Sequence, residues 1–135
     1  MNDNLLWYEA IFRMDRTEGQ ARWQWPPRTF FSERDLWWAS LGQNVGSEMN
    51  GKSGRFSRPV LIIKKLAHGF YLVAPTTTQK REGSWYVYVQ FESQDEYVCL
   101  NQIRTIDYRR LHSKLGQIDT DNFAKVKEGF QKLYL

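Results

Sequence analysis

A charged pair brackets a glycine-containing loop in the segment GSEMNGKSGRFSRPVLIIKK. Glu48 stands near its start, and Arg58 stands near its end, where a proline and an apolar run follow at once. A residue before proline is biased towards extended backbone, so we expect Arg58 to begin a strand with its guanidinium group held in one direction. Gly51 and Gly54 allow the loop to bring the carboxylate of Glu48 back to that group. The pair is either a functional unit or a partly exposed salt bridge that only holds the loop.

Hydroxyl and amide side chains follow the apolar run FYLV in the segment APTTTQKR. Thr76, Thr77, Thr78 and Gln79 can donate hydrogen bonds to phosphate oxygens at the end of a strand. The same composition is typical of an ordinary strand end and turn, because threonine favours strands and Pro75 favours turns. Taken alone, the motif does not distinguish these two interpretations.

A polar and basic segment, LNQIRTIDYRRLHSK, lies later in the chain. Gln102 and Arg104 lie beside a predicted strand, and three further cations follow it: Arg109, Arg110 and Lys114. Attraction of phosphate groups and a solvated basic face are both consistent with this pattern.

The cysteine and histidine content indicates chemistry without a metal. The one cysteine, Cys99, excludes an internal disulfide and is expected to be a small buried residue. His68 and His112 are too far apart in the sequence to form a metal-binding motif. We therefore expect neither a metal ion nor another cofactor.

The elements that must position these residues are mainly strands. From Asp35 onwards, short runs of β-branched and aromatic residues alternate with turn formers, the pattern of a small all-β unit. In the run SWYVYVQF two sets of side chains alternate, so one face can cover the core and the other a partner or a second layer. Strands are predicted over 35–40, 59–65, 70–75, 84–91, 97–100 and 103–107.

Helices are predicted at both ends of the chain. The C-terminal helix is capped by Asp119 or Thr120, and its apolar side chains recur at helical spacing. They are Phe123, Val126, Phe130 and Leu133. A short helix over 5–14 begins the chain, and a linker with aromatic residues and two prolines follows it.

The overall composition fits one soluble domain with an anionic partner. The chain has 135 residues, of which 16% are aromatic, so some rings can face a ligand. No stretch approaches the length of a membrane span and no signal peptide is evident, so we expect a cytoplasmic protein. The net charge is +4 and its excess lies after residue 34, which favours a partner such as RNA without deciding it.

Taken in order, the three motifs resemble those of the PemK/MazF/Kid family of toxin–antitoxin toxins. The segment 34–65 resembles the family's opening strand, its Gly-x-Glu loop and its Arg-Pro strand. YLVAPTTTQ is similar to the strand that ends in Pro-x-Thr, and VCLNQIRTIDYRRLHSKLGQI is similar to the late Gln-x-Arg-Thr-Ile-Asp segment. The resemblance covers the chain from Arg34 onwards, in the family's order and spacing.

The resemblance implies a mainly β fold with helices, an SH3-like β-barrel with a C-terminal helix in residues 34–135. Residues 1–33 would be an extra N-terminal helical extension, either packed on the barrel or acting as a lid over the RNA. The implied protein is a homodimeric, metal-independent endoribonuclease that cleaves single-stranded RNA at specific sequences. Its products carry 2′,3′-cyclic phosphate and 5′-hydroxyl ends, and a small, partly disordered antitoxin covers the RNA groove.

The resemblance also assigns roles to residues. The catalytic positions fall on Arg58, Thr77 and Glu48. Because arginine holds its proton strongly, Arg58 would stabilise phosphate charge, and Glu48 would hold Arg58 or accept the 2′-hydroxyl proton. Thr77 would donate to a phosphate oxygen or to the leaving group. The expected substrate contacts are Ser47, Thr78, Gln79, Asn101, Gln102 and Arg104.

Two positions depart from the pattern of some family members. Asn101 stands where those members have an acidic residue, and Cys99 stands where they have a basic one. The sequence therefore leaves open a catalytically weakened barrel that binds RNA or protein. It also leaves open a structural interaction protein, in which Glu48 and Arg58 only hold the loop.

Overall fold

The computed structural model of the chain describes residues 31–42 and 57–135. The predicted helix over 5–14, the linker after it, Ser47 and Glu48 lie outside the described residues. Residues Ser32–Leu135 form one compact unit. The division into 1–33 and 34–135 stays a prediction.

The described residues form seven strands and one long helix, with short 3-10 turns at Leu100–Gln102 and Tyr108–Arg110. The elements are β1 (Asp35–Ser40), β2 (Ser57–Ala67), β3 (Phe70–Thr77), β4 (Tyr86–Phe91), β5 (Gln94–Cys99), β6 (Arg104–Asp107), β7 (Leu111–Gln117) and α1 (Thr120–Tyr134). The prediction of β1 is confirmed at both ends, and β2 to β6 are found with shifted ends. Strand β7 was not predicted.

The strands form an antiparallel sheet in the order β4-β5-β3-β2-β1-β7. Strand β3 pairs with β6 along its first half and with β5 at its last two residues, so the sheet bends at β3. The outer strands β4 and β7 approach each other where Gly116 meets Phe91, because a Cβ atom on Gly116 would lie 2.7 Å from Phe91 Cζ. The fold is therefore roughly barrel-like, as the family resemblance implies, although the recorded strand pairs do not close the sheet.

One face of the sheet packs against α1, and we call it the helix-covered face. Its buried core contains Leu61, Ala74 and Val98 from the sheet together with Phe123 and Val126 from the helix. The residue that caps α1 is Asp119, whose side chain accepts a hydrogen bond from the backbone N–H of Asn122 at 2.7 Å. This choice between Asp119 and Thr120 was open in the sequence.

The helix also covers part of the outer edge of β4. The side chain of Asn122 accepts a hydrogen bond from the backbone N–H of Gln90 at 3.4 Å and donates one to its carbonyl at 3.3 Å. The backbone of this outer strand is thereby paired at Gln90 without another strand.

A fully buried carboxylate fixes β1 against β7. Asp35 accepts hydrogen bonds from Trp37 Nε1 at 3.2 Å and from Gln117 Nε2 at 3.0 Å. The backbone N–H of Ser32 donates to the same carboxylate at 2.9 Å, and Lys114 Nζ lies 3.5 Å from it. Because buried charges need such partners, this network explains why the polar sequence of β7 forms a strand beside β1.

None of the helices within the described ranges is long and apolar enough to cross a membrane.

Candidate active site

Arg58 and Thr77 come together where β2 begins and β3 ends. Val60 lies opposite Pro75 in the β2–β3 pair, and the same register places Arg58 opposite Thr77 two residues further along. Side chains of directly opposite residues point to the same face of a sheet. The guanidinium confirms the proximity, because Arg58 Nη1 donates to the carbonyl oxygen of Thr76 at 3.5 Å.

Local sequence explains how each side chain is positioned. Arg58 lies inside β2, opposite Ala39 of β1, and Pro59 follows it with its fixed backbone angle. Thr77 is the last residue of β3, and its Oγ1 accepts a hydrogen bond from the backbone N–H of Gln79 at 3.2 Å. Such a bond is typical of a hydroxyl that ends a strand and begins a turn. The hydroxyl of Thr77 is therefore held in place with its own proton left to donate.

The surroundings of Arg58 favour an anion. Burial lowers the pKa of Arg58, the nearby thiol of Cys99 opposes this shift, and the charge of Arg81 adds to it. Arg81 is exposed, and its Nη2 donates to Gln79 Oε1 at 3.3 Å. The two guanidinium groups carry like charges that repel each other, and a bound phosphate would relieve that repulsion. Sequence reasoning did not single out Arg81, although it follows directly on the Thr-Gln turn.

Cys99 is buried beside the two arginines, as the sequence predicted for a small apolar residue. Burial raises the pKa of the thiol, and the charges of Arg58 and Arg81 lower it only in part. A thiol held in its neutral form is a poor nucleophile, so we assign Cys99 a packing role.

The three threonines of the APTTTQKR segment have different environments. Thr76 lies opposite Val98, and its buried Oγ1 has no hydrogen-bond partner among residues 31–42 and 57–135. Thr77 points to the other face, towards Arg58. Thr78 and Gln79 are exposed in the turn that follows, where they are accessible to a substrate.

The late polar residues lie at and after the end of β5, and Arg104 is separated from Thr77 along β3. Arg104 lies opposite Val73, four residues before Thr77 on the same face of β3, or about 13 Å along the strand. Gln102 is half-buried in a 3-10 turn. Asn101 is exposed in the same turn, and its Nδ2 donates to the hydroxyl of Tyr86 at 3.4 Å.

The basic segment after β6 is tied to other parts of the protein. Arg109 forms two hydrogen bonds with the carboxylate of Asp107, which lower the pKa of Asp107. Arg110 Nη1 donates to the carbonyl of Ser40 at 3.2 Å, and Lys114 lies in β7 beside Asp35. These contacts indicate a structural role for cations that the sequence left open as phosphate contacts.

A family model described as PemK-like, MazF-like toxin of type II toxin–antitoxin system matches residues 32–134. The chain belongs to this family of toxins. The resemblance of the three motifs is thereby confirmed, and so is the fold that it implies.

Similar proteins support the assignment to the PemK/MazF-like toxins. The chain is 33% identical over 107 residues to Endoribonuclease EndoA of Bacillus subtilis (strain 168), covering 72% of this chain and 88% of that protein. The crystal structure of MazF from Deinococcus radiodurans matches with a TM-score of 0.64 and 21% identity, over 76% of this chain and 94% of that one. An endoribonuclease in complex with its cognate antitoxin, from a mycobacterial species, matches with a TM-score of 0.58 and 17% identity, over 74% and 90%.

This PemK/MazF-like toxin also has a set of tyrosines beside Thr77 that sequence reasoning did not single out. Thr77 lies opposite Tyr97 in β5, and Tyr97 lies opposite Tyr88 in β4. Tyr86 lies opposite Cys99 on the same two strands. The only sequence signal for this arrangement is the alternation in SWYVYVQF, which predicted a second face that a partner or layer can cover.

Among residues 31–42 and 57–135, no group of three or more histidine, cysteine, aspartate or glutamate side chains is placed to hold a metal ion.

Proposed function

We propose that this PemK/MazF-like toxin is an endoribonuclease that cleaves single-stranded RNA at specific sequences, without a metal ion. The observation that carries the proposal is the meeting of the Arg58 guanidinium with the end of β3 beside the Thr77 hydroxyl. The similarity to Endoribonuclease EndoA supports the same activity. Single-stranded RNA is the substrate class because paired A-form helices hide the base edges that a protein reads.

The reaction is an attack of a ribose 2′-hydroxyl on the adjacent phosphorus. A bond forms between the 2′-oxygen and phosphorus, and the bond from phosphorus to the 5′-oxygen breaks. The products are a 2′,3′-cyclic phosphate and a 5′-hydroxyl end. The 2′-hydroxyl loses a proton to a base, and the leaving 5′-oxygen gains one.

Arg58 stabilises the extra charge on the phosphate as this reaction proceeds. Burial lowers its pKa, but arginine starts from a value so high that the side chain stays protonated at neutral pH. A planar guanidinium can hold two phosphate oxygens at once, and burial strengthens the interaction by reducing solvent screening. Arg81 adds a second positive charge at the same place.

Thr77 donates a hydrogen bond to a phosphate oxygen or to the leaving 5′-oxygen. Its Oγ1 already accepts a hydrogen bond from the N–H of Gln79, which leaves the hydroxyl proton available for donation to the RNA. We assign the proton-accepting role to Glu48, which alternatively holds the guanidinium of Arg58. Thr78, Gln79 and Ser47 are further proposed contacts to the RNA.

Asn101, Gln102 and Arg104 are proposed to contact the RNA away from the cleaved bond. The distance of Arg104 along β3 suits a neighbouring nucleotide better than the reacting phosphate. The amide of Asn101 can pair with a base edge or a ribose hydroxyl.

We propose two protein partners, a second copy of the chain and a small antitoxin. A structural relative is an endoribonuclease in complex with its cognate antitoxin, which supports the second partner. The positive net charge of the chain favours an acidic antitoxin segment that covers Arg58 and Arg81. We place the activity in the cytoplasm, where cellular RNA is available.

The test is an RNA cleavage assay with EDTA present throughout. Purified protein is incubated with a mixed pool of single-stranded RNA, and mass spectrometry identifies the new 3′ ends. We expect cyclic phosphate products from the natural protein and none from the Arg58→Ala variant. Sequencing the new 5′ ends gives the cleaved sequence. Cleavage that needs a divalent metal, or that survives in a folded Arg58→Ala protein, would contradict the proposal.

The second candidate function is a barrel that binds RNA or protein without cleaving RNA. Two observations favour it, since Cys99 is buried and Asn101 is an amide bonded to Tyr86, so neither side chain is an acid or a base. The same assay distinguishes the two functions. RNA that is bound but never cut, together with no growth arrest when the protein is expressed, supports the binding module.

A further inference from the structure

We propose that Tyr97 and Tyr88 form a stacking surface for the nucleobases next to the cleaved phosphodiester bond. The inference rests on the proposed RNA cleavage and names the part of the protein that holds the substrate beside Arg58 and Thr77. We call these two residues the tyrosine pair.

Strand register places the tyrosine pair directly beside the catalytic residues. Arg58, Thr77, Tyr97 and Tyr88 follow one another across four neighbouring strands and point to one face. Because neighbouring strands lie about 4.8 Å apart, Tyr97 is one strand from Thr77 and Tyr88 is about 10 Å away. A nucleotide whose phosphate lies between Arg58 and Thr77 therefore has its own base, or the next one, above the tyrosine pair.

The ring of Tyr88 is exposed and held by a hydrogen bond, and the ring of Tyr97 lies beside it. Tyr88 is 42% exposed, and Tyr97 is half-buried. Their ring centroids lie 5.6 Å apart with 53° between the ring planes, so the two rings do not cover each other face to face. The hydroxyl of Tyr88 donates to Asp95 Oδ1 at 2.8 Å, which fixes the ring direction before any ligand binds. Preorganised rings lose little entropy when a base stacks on them.

The charges around the tyrosine pair favour a nucleic acid over a protein surface. Lys125 Nζ lies 5.4 Å from the centre of the Tyr88 ring, and Arg58 and Arg81 lie at the other end of the row. Asp95 is the acidic neighbour, and its charge is engaged by the Tyr88 hydroxyl. Cations that flank exposed aromatic rings are typical of sites that bind single strands, where the bases stack and the cations attract phosphates.

The test measures binding without cleavage. The probe is a fluorescent, random-sequence, single-stranded 12-nucleotide RNA with 2′-fluorine in place of every 2′-hydroxyl, so that it cannot be cut. Its affinity is measured by fluorescence anisotropy for the full-length protein and for Tyr97→Leu, Tyr88→Leu, Tyr97→Phe and Tyr88→Phe. The matched control is Phe70→Leu, because Phe70 is 39% exposed at the opposite end of β3.

We expect each Leu variant to bind about tenfold more weakly, because it loses one base-stacking ring. The Phe variants and the Phe70→Leu control should stay close to the natural affinity. In cleavage assays the Leu variants should raise KM and leave kcat nearly unchanged, whereas Arg58→Ala lowers kcat. If Tyr97→Leu does not fold, the more exposed Tyr88→Leu gives the answer.

Three results would overturn the inference. The first is natural affinity in both Leu variants, which leaves the proposed nuclease intact if cleavage is still seen. The second is loss of binding that accompanies a halved molecular mass in light scattering, which assigns the tyrosine pair to the contact with a second copy. The third is the absence of probe binding by the natural protein. Absence of cleavage with normal, tyrosine-dependent binding would instead remove the proposed nuclease and keep the stacking surface.

Discussion

Thr76 and Thr77 are neighbours with the same side chain, yet they point to opposite faces of the sheet. Thr76 points to the helix-covered face, where it lies opposite Val98 with its hydroxyl buried. Thr77 points to the other face, opposite Tyr97 and close to Arg58. The helix-covered face consists mainly of packed apolar side chains, and the other face carries cations, a hydroxyl and tyrosine rings at its end.

This difference separates stability from chemistry along a single strand. Substitutions on the helix-covered face should change the free energy of unfolding and leave cleavage nearly intact. Substitutions at the end of the opposite face should do the reverse. The following expected outcomes test that separation, from the largest effect to the smallest.

The largest effect is expected for Arg58→Ala. The variant should cleave RNA about 10³-fold more slowly, because the charge of the transition state loses its main cation. This corresponds to a rise of about 4 kcal/mol in the activation free energy. Urea denaturation should show a nearly unchanged free energy of unfolding, since Arg58 is only half-buried. Arg58→Lys is the control, and it should recover part of the rate because it keeps the charge without the fork. A loss of stability that accounts for the lost activity would break the separation.

The next effect lies on the helix-covered face, three residues further along β2. Leu61 is fully buried in the core against α1. Leu61→Ala should lower the free energy of unfolding by about 3 kcal/mol, because it removes buried methyl groups and leaves a cavity. At a temperature where the variant is folded, its cleavage rate should match the natural protein. A rate that falls as far as in Arg58→Ala would show that the two faces are coupled.

Thr77→Val should raise the activation free energy of cleavage by about 2 kcal/mol, since it removes a hydrogen bond to a charged group. Cleavage should therefore be roughly thirtyfold slower. Thr77→Ser keeps the hydroxyl and should retain most of the rate. Single-turnover kinetics at saturating RNA measure the chemical step directly. Equal rates for the Val and Ser variants would remove the proposed role of the hydroxyl.

Thr76→Val is the matched change on the opposite face. It removes a buried hydroxyl that has no partner among the described residues, so the free energy of unfolding should rise by about 1 kcal/mol. Cleavage should stay at the natural rate. Urea midpoints measured side by side for the Val variants at 76 and 77 give the sharpest form of the comparison.

The smallest expected effect is a pH dependence of stability from His112. Its Nε2 lies 2.8 Å from Ser40 Oγ, and burial lowers its pKa. The unfolded chain then binds the proton more readily, so this stability is present above the ordinary histidine pKa of about 6.5 and is lost as pH falls below it. The urea midpoint should fall less between pH 7.5 and pH 5.5 in His112→Gln than in the natural protein. An identical slope in both proteins would contradict the assignment.

Sequence pattern predicted elements where alternation was strong and failed where pairing decided the structure. The apolar and aromatic run in DLWWAS predicted both ends of β1, and the alternation in SWYVYVQF predicted β4, whose Val87 and Val89 pack towards the core. The strand β7, with the sequence LHSKLGQ, has no such pattern. It forms because β1 pairs with it, and because the buried carboxylate of Asp35 accepts a hydrogen bond from Gln117 and forms an ion pair with Lys114.

The sequence prediction began β5 at residue 97, whereas the strand begins at Gln94. The turn before β5 explains the difference. Glu92 and Ser93 connect β4 and β5 with backbone φ angles of 49° and 63°. Two-residue hairpin turns with both angles positive usually contain asparagine or glycine, so this turn gave no signal in the sequence. Residues 94–96 were therefore not recognised as a strand.

The candidate site was only partly predictable from the sequence. The family motifs identified Arg58 and Thr77, and the register of β2 and β3 brings them together. The position of the tyrosine pair beside Thr77 depends on the pairing of β3 with β5, which are separated by β4 in the sequence, and periodicity does not reveal that pairing. Arg81 was missed because an exposed arginine in a turn looks like any solvated charge until its neighbours are known.

The bond between Asn122 and the backbone of Gln90 limits how other chains can attach. A ligand that joins a sheet as an additional strand needs vacant amide and carbonyl groups, and Asn122 of α1 occupies those of Gln90 near the end of β4. An antitoxin that adds a strand to β4 therefore cannot pair with its backbone at Gln90. The same hydrogen bonds hinder edge-to-edge association of two sheets through β4.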